Sequence, residues 1–513
     1  MTESSRLDAL TSWNADWKGL RVAVLGLAAT GFSVADTLTE LGAEVLVVTE
    51  KSAAEYAQLI PVIGARLVET SLERAPADLV EFAPDVVIAS PGFPPSHPVI
   101  RWVREQNIPL WGDIELAWRV RDKVVRPDGS PAEWIFITGT NGKTTTTRLT
   151  ATMLVADGKR AAPCGNIGVP VLDAVRDPEG FDVLVVELSS HQLWYLSLND
   201  GAGAPSPLAA ACLNFASDHL EWHGSEAAYW QAKAAVYRNT QIACVYNKSD
   251  AETMRMVEEA DVVDGARAIG FDLGVPGPSD LGIVDGILAD RAFVENRRTS
   301  AAEITTIDRI AARGLAAPHM VENILAASAL VRAAGANPAS IATAIDTFEL
   351  DPHRIQIVGR SGGITWVDDS KATNPHAAAS SLAAFSSVIW VLGGLFKGVD
   401  IDALVRDHGQ RAKAIIAIGI DRDPVTAAFA RHAPDVPVFE VDHAHTDDVM
   451  GRVVELAVGA AGDGDVVLLA PAAASFDQFT TYSDRGDRFQ AAVMKWIERG
   501  SHDDTDGGSP ELG

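Results

Sequence analysis

Short apolar runs recur along the chain, each closing on glycine or a polar residue and followed by a helical length of sequence. That rhythm predicts strand-helix-strand units, and so parallel, doubly wound α/β sheets. The first block opens with the strand Arg21-Val22-Ala23-Val24-Leu25-Gly26 and passes through Leu27-Ala28-Ala29-Thr30-Gly31 into a helix ending near Glu40. Strands at Glu44–Val48 and Asp85–Ala89 follow, the latter closed by Ser90-Pro91-Gly92. A polar segment bearing Pro and Gly, Arg121–Glu133, reads as a linker.

The second block takes up the apolar run Ile135-Phe136-Ile137-Thr138 and continues through Phe181–Glu187, Ala209–Asn214 and Ile242–Asn247. Asp351-Pro352 marks the next boundary, and a third doubly wound block is expected from strands at Ile364–Asp369, Val388–Gly393, Ala414–Gly419, Val438–Val441 and Asp465–Ala470. The polar tail Gly500–Gly513 is rich in Gly, Ser and Asp and is expected to be disordered. The division is therefore 1–126, 127–351 and 352–499, with 500–513 as tail. A length of 513 residues agrees with about three domains.

The sharpest chemistry lies where the second block begins. Gly139-Thr140-Asn141-Gly142-Lys143-Thr144-Thr145 turns a strand into a helix through glycine. Such a turn exposes successive backbone N–H groups, and the following helix aims its positive end at the same point, which suits a triphosphate. Lys143 would reach the terminal phosphates and the Thr144 hydroxyl would ligate magnesium. Glu187, in Val185-Val186-Glu187-Leu188-Ser189-Ser190, puts a carboxylate at the carboxyl end of a buried strand, where open α/β sheets hold ligands. Asp218-His219 follows another strand; an oxygen set of Thr144 and Glu187 suits magnesium, and His219 is an unusual nitrogen ligand.

Lys233 stands at i+4 from Tyr229 and i−4 from Tyr237 in an expected helix Ser225–Asn239. Read alone, this lysine packs its stem on tyrosines and sends its amine to solvent. In the first block Gly26 and Gly31 match the outer glycines of a dinucleotide fingerprint, with Glu50 as the ribose acid, but Ala28 replaces the middle glycine. A NAD-dependent oxidoreductase is thus an alternative, and an anion site suited to pyrophosphate is common to both readings.

Composition narrows the classes. The net charge of −27 argues against nucleic acid as a partner. No apolar stretch is long enough to span a membrane, and Met1–Leu10 is too polar for a signal peptide, so a cytoplasmic enzyme is expected. The three cysteines, Cys164, Cys212 and Cys244, have no metal or redox spacing and suit a reducing compartment.

Taken together, the Gly139–Thr145 loop, Glu187-Leu188-Ser189-Ser190-His191-Gln192-Leu193, Asp218-His219 and Asp369-Ser370-Lys371-Ala372-Thr373-Asn374 resemble the Mur ligases of bacterial peptidoglycan synthesis, from the Gly26 turn to about Phe489. The resemblance implies three domains: an N-terminal Rossmann-like nucleotide-sugar domain, a central P-loop-type ATP-binding domain and a C-terminal Rossmann-like domain that binds the amino acid. It implies ATP-dependent amide formation between D-glutamate and UDP-N-acetylmuramoyl-L-alanine through an acyl phosphate, by a monomer. His191, where Phe is commoner, keeps the ligase for the third residue as an alternative, although its Asp-Asn-Pro-Arg signature is missing. Folylpolyglutamate synthetase shares the fold but has Gly after the loop lysine. An ATP-binding scaffold with a decayed site is the non-enzymatic reading.

The resemblance also assigns residues. For catalysis it implies Lys143, Glu187, His219 and Lys233, and for two magnesium sites Thr144, Glu187, His219 and a carbamylated Lys233. Carbamylation needs a neutral amine, which an apolar setting favours. For ATP it implies Gly139, Thr140, Asn141, Gly142, Lys143, Thr144, Thr145, Asn323, Arg354, Asp369 and Lys371. The family's His-Asn-x-x-Asn here reads His319-Met320-Val321-Glu322-Asn323. For the nucleotide sugar it implies Ala29, Thr30, Thr49, Gly92, Asn166 and His219. For D-glutamate it implies Thr373, Lys397, Ser475, Phe476 and Tyr482, with a helix cap at Ser475 and core packing at Phe476 and Tyr482 as the plain alternatives. Arg354 and Asp369 are expected close to a hinge on which the last domain closes.

Overall fold

The computed structural model describes residues 3–350, 352–441 and 448–503. Its strands form three sheets. The first runs β3-β2-β1-β4-β5, with β1 Arg21–Leu27, β2 Glu44–Ser52, β3 Arg66–Glu69, β4 Val86–Ala89 and β5 Leu110–Trp111. Every pairing in it is parallel. The order reverses beside β1, so the crevice at its carboxyl end, where the helix Ala29–Glu40 begins, is the natural ligand edge.

The second sheet holds β6 Glu133–Thr138, β7 Ala161–Gly165, β8 Val183–Glu187, β9 Ala209–Cys212, β10 Ala243–Asn247 and β11 Arg267–Phe271, then β12 Asp280–Val284, β13 Ile287–Asp290 and β14 Ala302–Thr306. Its order is β14-β13-β12-β11-β10-β9-β6-β8-β7, which puts β6, the strand of the glycine turn, between β9 and β8. The third sheet runs β15-β16-β20-β17-β18-β19, from β15 Gln356–Ser361 and β16 Ile364–Asp368 to β17 Val388–Gly393, β18 Ala412–Ile418, β19 Val438–Glu440 and β20 Val466–Leu469.

Two edges depart from the all-parallel expectation, because β13 and β14 pair antiparallel on the second sheet and β15 pairs antiparallel with β16 on the third. These strands and the short β3, β5 and β7 carry no long apolar run; β15 is half-buried to exposed along its length, so hydrophobic pattern alone does not mark it. At the far end the helix Tyr482–Asp503 runs into the stretch expected to be disordered, whose remainder lies outside the described residues. Asp351 of the boundary predicted at Asp351-Pro352 lies outside them too.

The chain divides into two compact units, one with the first two sheets and one with the third sheet and the short segment Ala216–Glu221. In the first unit one apolar cluster runs from Val22, Val24 and Trp111 to Trp134, Phe136 and Val186, and a second gathers Ala23, Leu25, Val87 and Tyr195. A polar seam accompanies it. Arg176 pairs with Asp36 and donates to Thr37 Oγ1 at 2.8 Å, and Asn199 Nδ2 reaches Glu115 Oε2 at 2.7 Å. Arg119 lies over Trp111, ion-pairs with Glu115 at 2.8 Å and donates to the carbonyls of Leu7 and Leu10. In the second unit the third sheet is covered on both faces, by clusters around Trp390 and around Trp366.

One seam residue is electrostatically expensive. Asp113 is buried where the helix Asp113–Arg119 starts, and burial pushes its carboxyl up to about 6 despite the donors from Gln192 and the backbone. The folded pKa lies above the ordinary value, so the folded chain holds a proton that the unfolded chain has lost between about pH 4 and 6, and stability falls as pH rises through that window. The full cost above pH 6 is about 3 kcal/mol. Asp113→Asn is therefore expected to melt higher than the unsubstituted chain at pH 7.5, with the gap closing towards pH 4.5, as followed by thermal denaturation at stepped pH.

Candidate active site

The glycine turn is built as the sequence demands. β6 ends at Thr138, Gly142 takes φ +82°, and the helix Lys143–Ala156 starts at the next residue. A Cβ on Gly142 would lie 2.5 Å from the Asn323 carboxamide oxygen, so the loop leans on the helix Pro318–Ala333 with no room for a side chain. Asn214 braces the loop from the end of the neighbouring strand: its Oδ1 accepts from the Asn141 N–H at 2.8 Å and its carbonyl from the Thr140 N–H at 3.1 Å. The Lys143 ammonium donates to the carbonyls of Gly139 and Thr140 at 2.8 and 3.0 Å, and the Thr140 hydroxyl lies 3.0 Å from that of Tyr229. Thr144 is half-buried and Thr145 buried beside it, the Thr145 hydroxyl having no hydrogen-bond partner among the described residues.

Glu187 stands at the end of β8 in register with Ile137 of β6, so its carboxylate belongs to the same edge as the loop. It is only 2% exposed. Its Oε1 accepts from Asn166 Nδ2 at 2.8 Å, and its Oε2 is buried with no partner among the described residues. A buried carboxylate oxygen without a donor is costly unless a cation meets it, and a hard oxygen beside a phosphate loop fits magnesium. Among the described residues no three His, Cys, Asp or Glu side chains converge on one point.

Lys233 corrects the reading of its isolated motif. It is 1% exposed, its amine buried 4.9 Å from the centre of the Tyr229 ring instead of reaching solvent. The expected helix is also shorter, Glu226–Ala234 followed by one 3-10 turn to Tyr237, whose hydroxyl is committed to the Cys212 N–H and the Val245 carbonyl. His219 has a left-handed backbone, φ +54°, its N–H donates to Asp218 Oδ1 at 2.8 Å, and it lies in the segment that groups with the second unit. His191 stacks on Trp222 at 4.5 Å, so an aromatic role survives the change from Phe.

On the first sheet, Ala29 and Thr30 open the helix Ala29–Glu40, which has no side-chain cap, so its first N–H groups are unclaimed by side chains. Gly31 is required there, since a Cβ would come within 2.1 Å of the Gly26 carbonyl. Gly92 has open space around it. Thr49 is buried with its hydroxyl on the Lys51 carbonyl, and Glu50 accepts from the Leu72 N–H at 3.0 Å, the role of a loop brace. Asn166 is engaged as the brace of Glu187 through both its side chain and its N–H.

The second unit gathers the remaining residues. Asp369 accepts from Ser381 and from the Ile355 N–H, and burial pushes its carboxyl up to about 7 although Arg354 beside it pulls down. The Arg354 Nε is buried with no partner among the described residues. The turn carrying Arg354 has left-handed residues on both sides, His353 and Ile355, and is pinned by His353 to Asp368 at 2.7 Å and by the His353 carbonyl to the Lys371 N–H. Lys371 lies 5.3 Å from the Tyr482 ring centre, and the Thr373 N–H donates to the Lys371 carbonyl. Lys397, φ +53°, sits 5.7 Å from the ring of Phe476, which is 66% exposed and therefore no core residue. Ser475 heads a turn and is buried, with no helix starting until Tyr482.

Sequence reasoning missed two organisers. Asn214 ends an apolar strand and could have been found by its position. Arg485 could not: it is fully buried in an otherwise ordinary helix, and its guanidinium ties Ser370 Oγ and carbonyl to the Ala473 carbonyl, joining the Lys371 loop to the Ser475 turn.

Comparison with known proteins assigns this architecture. Residues 20–112 match the profile of the Mur ligase MurD-like N-terminal domain, 137–331 the Mur ligase middle domain, and 353–473 the Mur ligase glutamate ligase domain. A UDP-N-acetylmuramoylalanine--D-glutamate ligase from Leifsonia xyli subsp. xyli is 59% identical over 100% of both chains, and one from Tropheryma whipplei is 46% identical over 96% of this chain and 100% of its own. The crystal structure of UDP-N-acetylmuramate-alanine ligase from Thermotoga maritima shares the fold, with a TM-score of 0.53 at 18% identity over 93% of this chain and 99% of that one. With all three domain profiles in order and relatives aligned from end to end, the chain belongs to the Mur ligase family.

Proposed function

We propose that this chain joins D-glutamate to UDP-N-acetylmuramoyl-L-alanine, using ATP and releasing ADP and phosphate, in the synthesis of peptidoglycan precursors. The observation that carries this reading is the match along the whole of both chains to a relative named for that reaction. Its nucleotide substrates put the reaction in the cytoplasm, and the acting form is a monomer. No described helix is long and apolar enough to cross a membrane.

The residues divide the work. The N–H groups of Gly139–Gly142 and the start of the helix Lys143–Ala156 cradle the ATP phosphates, and Lys143 leaves the loop carbonyls for the terminal phosphoryl group. Thr144 and Glu187 would hold one magnesium ion, and His219 with a carbamylated Lys233 a second; the ions would supply positive charge to the phosphoryl oxygens. Asn166 occupies Glu187 Oε1 and so leaves the buried Oε2 for the cation. The substrate carboxylate attacks the terminal phosphorus, and the acyl phosphate so formed accepts the D-glutamate amine. Asn323, Arg354, Asp369 and Lys371 complete the ATP contacts; Thr373, Lys397, Ser475, Phe476 and Tyr482 receive the amino acid. Ala29, Thr30, Thr49, Gly92 and His219 serve the nucleotide sugar, with Asn166 acting on it through Glu187. The domains then fall at 1–126, 127–351 and 352–499.

Phosphate release from ATP, magnesium and UDP-N-acetylmuramoyl-L-alanine is expected with D-glutamate and not with L-glutamate or meso-diaminopimelate. Turnover of the dipeptide nucleotide with the diamino acid would assign the chain to the next ligase. Lys143→Met is expected to lower kcat about a thousandfold by removing a preorganised charge from the transferring phosphoryl group, and stopped assays of ADP formation measure it. Glu187→Gln is expected to raise the magnesium needed for half-maximal rate about tenfold or more, with a melting temperature in metal-free buffer no lower than that of the unsubstituted chain.

A further inference from the structure

The helix Ser190–Leu196 follows directly on the turn behind Glu187 and grips the first sheet at two points. Its first-turn residue Gln192 is fixed from both ends of the amide. The Ser189 N–H donates to Gln192 Oε1 at 3.1 Å and the Gln192 N–H donates to Ser189 Oγ at 3.1 Å, a closed capping box. At the other end Gln192 Nε2 donates to Asp113 Oδ2 at 3.0 Å. One turn later the Tyr195 hydroxyl donates to the Phe93 carbonyl at 2.7 Å, and Gly112 admits this approach, since a Cβ there would lie 3.0 Å from Tyr195 Cβ. Phe93 and Gly112-Asp113 belong to the loops closing β4 and β5, at the carboxyl edge of the first sheet.

A carboxylate has acceptors only, whereas an amide has an accepting and a donating end. Facing Asp113, the Gln192 amide has one stable orientation, with NH2 towards the carboxylate and oxygen towards the Ser189 N–H. Turned over, it would lose both bonds. We propose that Asp113 is a positioning residue: it selects the orientation of the Gln192 amide and, through the capping box, fixes the Leu188-Ser189 turn that sets Glu187. The inference rests on the reading of Glu187 as a magnesium ligand. Stability alone gives no reason for a carboxylate here, because its burial is a cost.

The test uses the full-length chain with Asp113→Ala, Asp113→Asn, Gln192→Ala and the Asp113→Ala/Gln192→Ala double variant. Two quantities are read: amide hydrogen exchange at Gln192 and Leu193 without metal or nucleotide, and the magnesium concentration giving half-maximal phosphate release. Asp113→Ala is expected to speed exchange at those amides and raise the half-maximal magnesium, each about tenfold, with no fall in melting temperature at pH 7.5. Asp113→Asn, whose amide can pair with either orientation of Gln192, is expected to fall between Asp113→Ala and the unsubstituted chain, and the double variant to be no worse than Gln192→Ala alone. Unchanged exchange and magnesium dependence in Asp113→Ala, or a double variant losing the product of the single effects, overturns the proposal. Should Asp113→Ala not fold, normal exchange in Gln192→Ala overturns it equally. Absence of turnover in the unsubstituted chain contradicts the proposed function, while the exchange measurement still decides the role of Asp113.

Discussion

Gly142 carries the constraint on which the rest of the Gly139–Thr145 turn depends. Its backbone must take a left-handed φ so that the loop N–H groups turn towards one point, and its missing side chain is where the Asn323 carboxamide rests. A single residue type meets both conditions. Around this point Asn214 holds the loop from one side, the helix Pro318–Ala333 supports it from another, and Tyr229 links Thr140 to the buried Lys233. The second sheet places β6 between β8 and β9, so Glu187 and Asn214 come from the strands on either side of the loop.

The first two sheets share an apolar cluster, which makes the carboxyl edge of the first sheet and the Gly139–Thr145 turn parts of one compact unit. Burial supplies the adhesion, and the polar seam supplies register: Arg176 to Asp36, Asn199 to Glu115, Gln192 to Asp113. These contacts are specific in direction where hydrophobic packing is not. In the second unit the same division holds, with apolar clusters on both faces of the sheet and Arg485 tying the Lys371 loop to the Ser475 turn.

Much of this was legible from residues alone. β1, β4, β6, β8, β17 and β20 are buried along most of their length and read directly as apolar runs, and the Gly-Lys-Thr turn named its ligand class by its backbone requirements. Edge strands such as β14 and β15 were illegible because one face of each meets solvent and the pairing is antiparallel, leaving no continuous run. Lys233 shows the limit of a local motif: i, i+4 spacing puts Tyr229 under the lysine, but whether the amine ends in solvent or in the interior depends on elements distant in sequence. Arg485 and the Asp113–Gln192 pair had no local signature at all, because what makes them important is the long-range contact itself.

The Gly142 turn, proposed above as the nucleotide site, leaves no room for a side chain. Calorimetric titration of Gly142→Ala with ADP and magnesium tests that assignment most directly. The variant is expected to fold with its loop relaxed away from the binding geometry, so that restoring the left-handed backbone against Asn323 costs about 3 kcal/mol and ADP affinity drops about a hundredfold. Binding equal to that of the unsubstituted chain would contradict it.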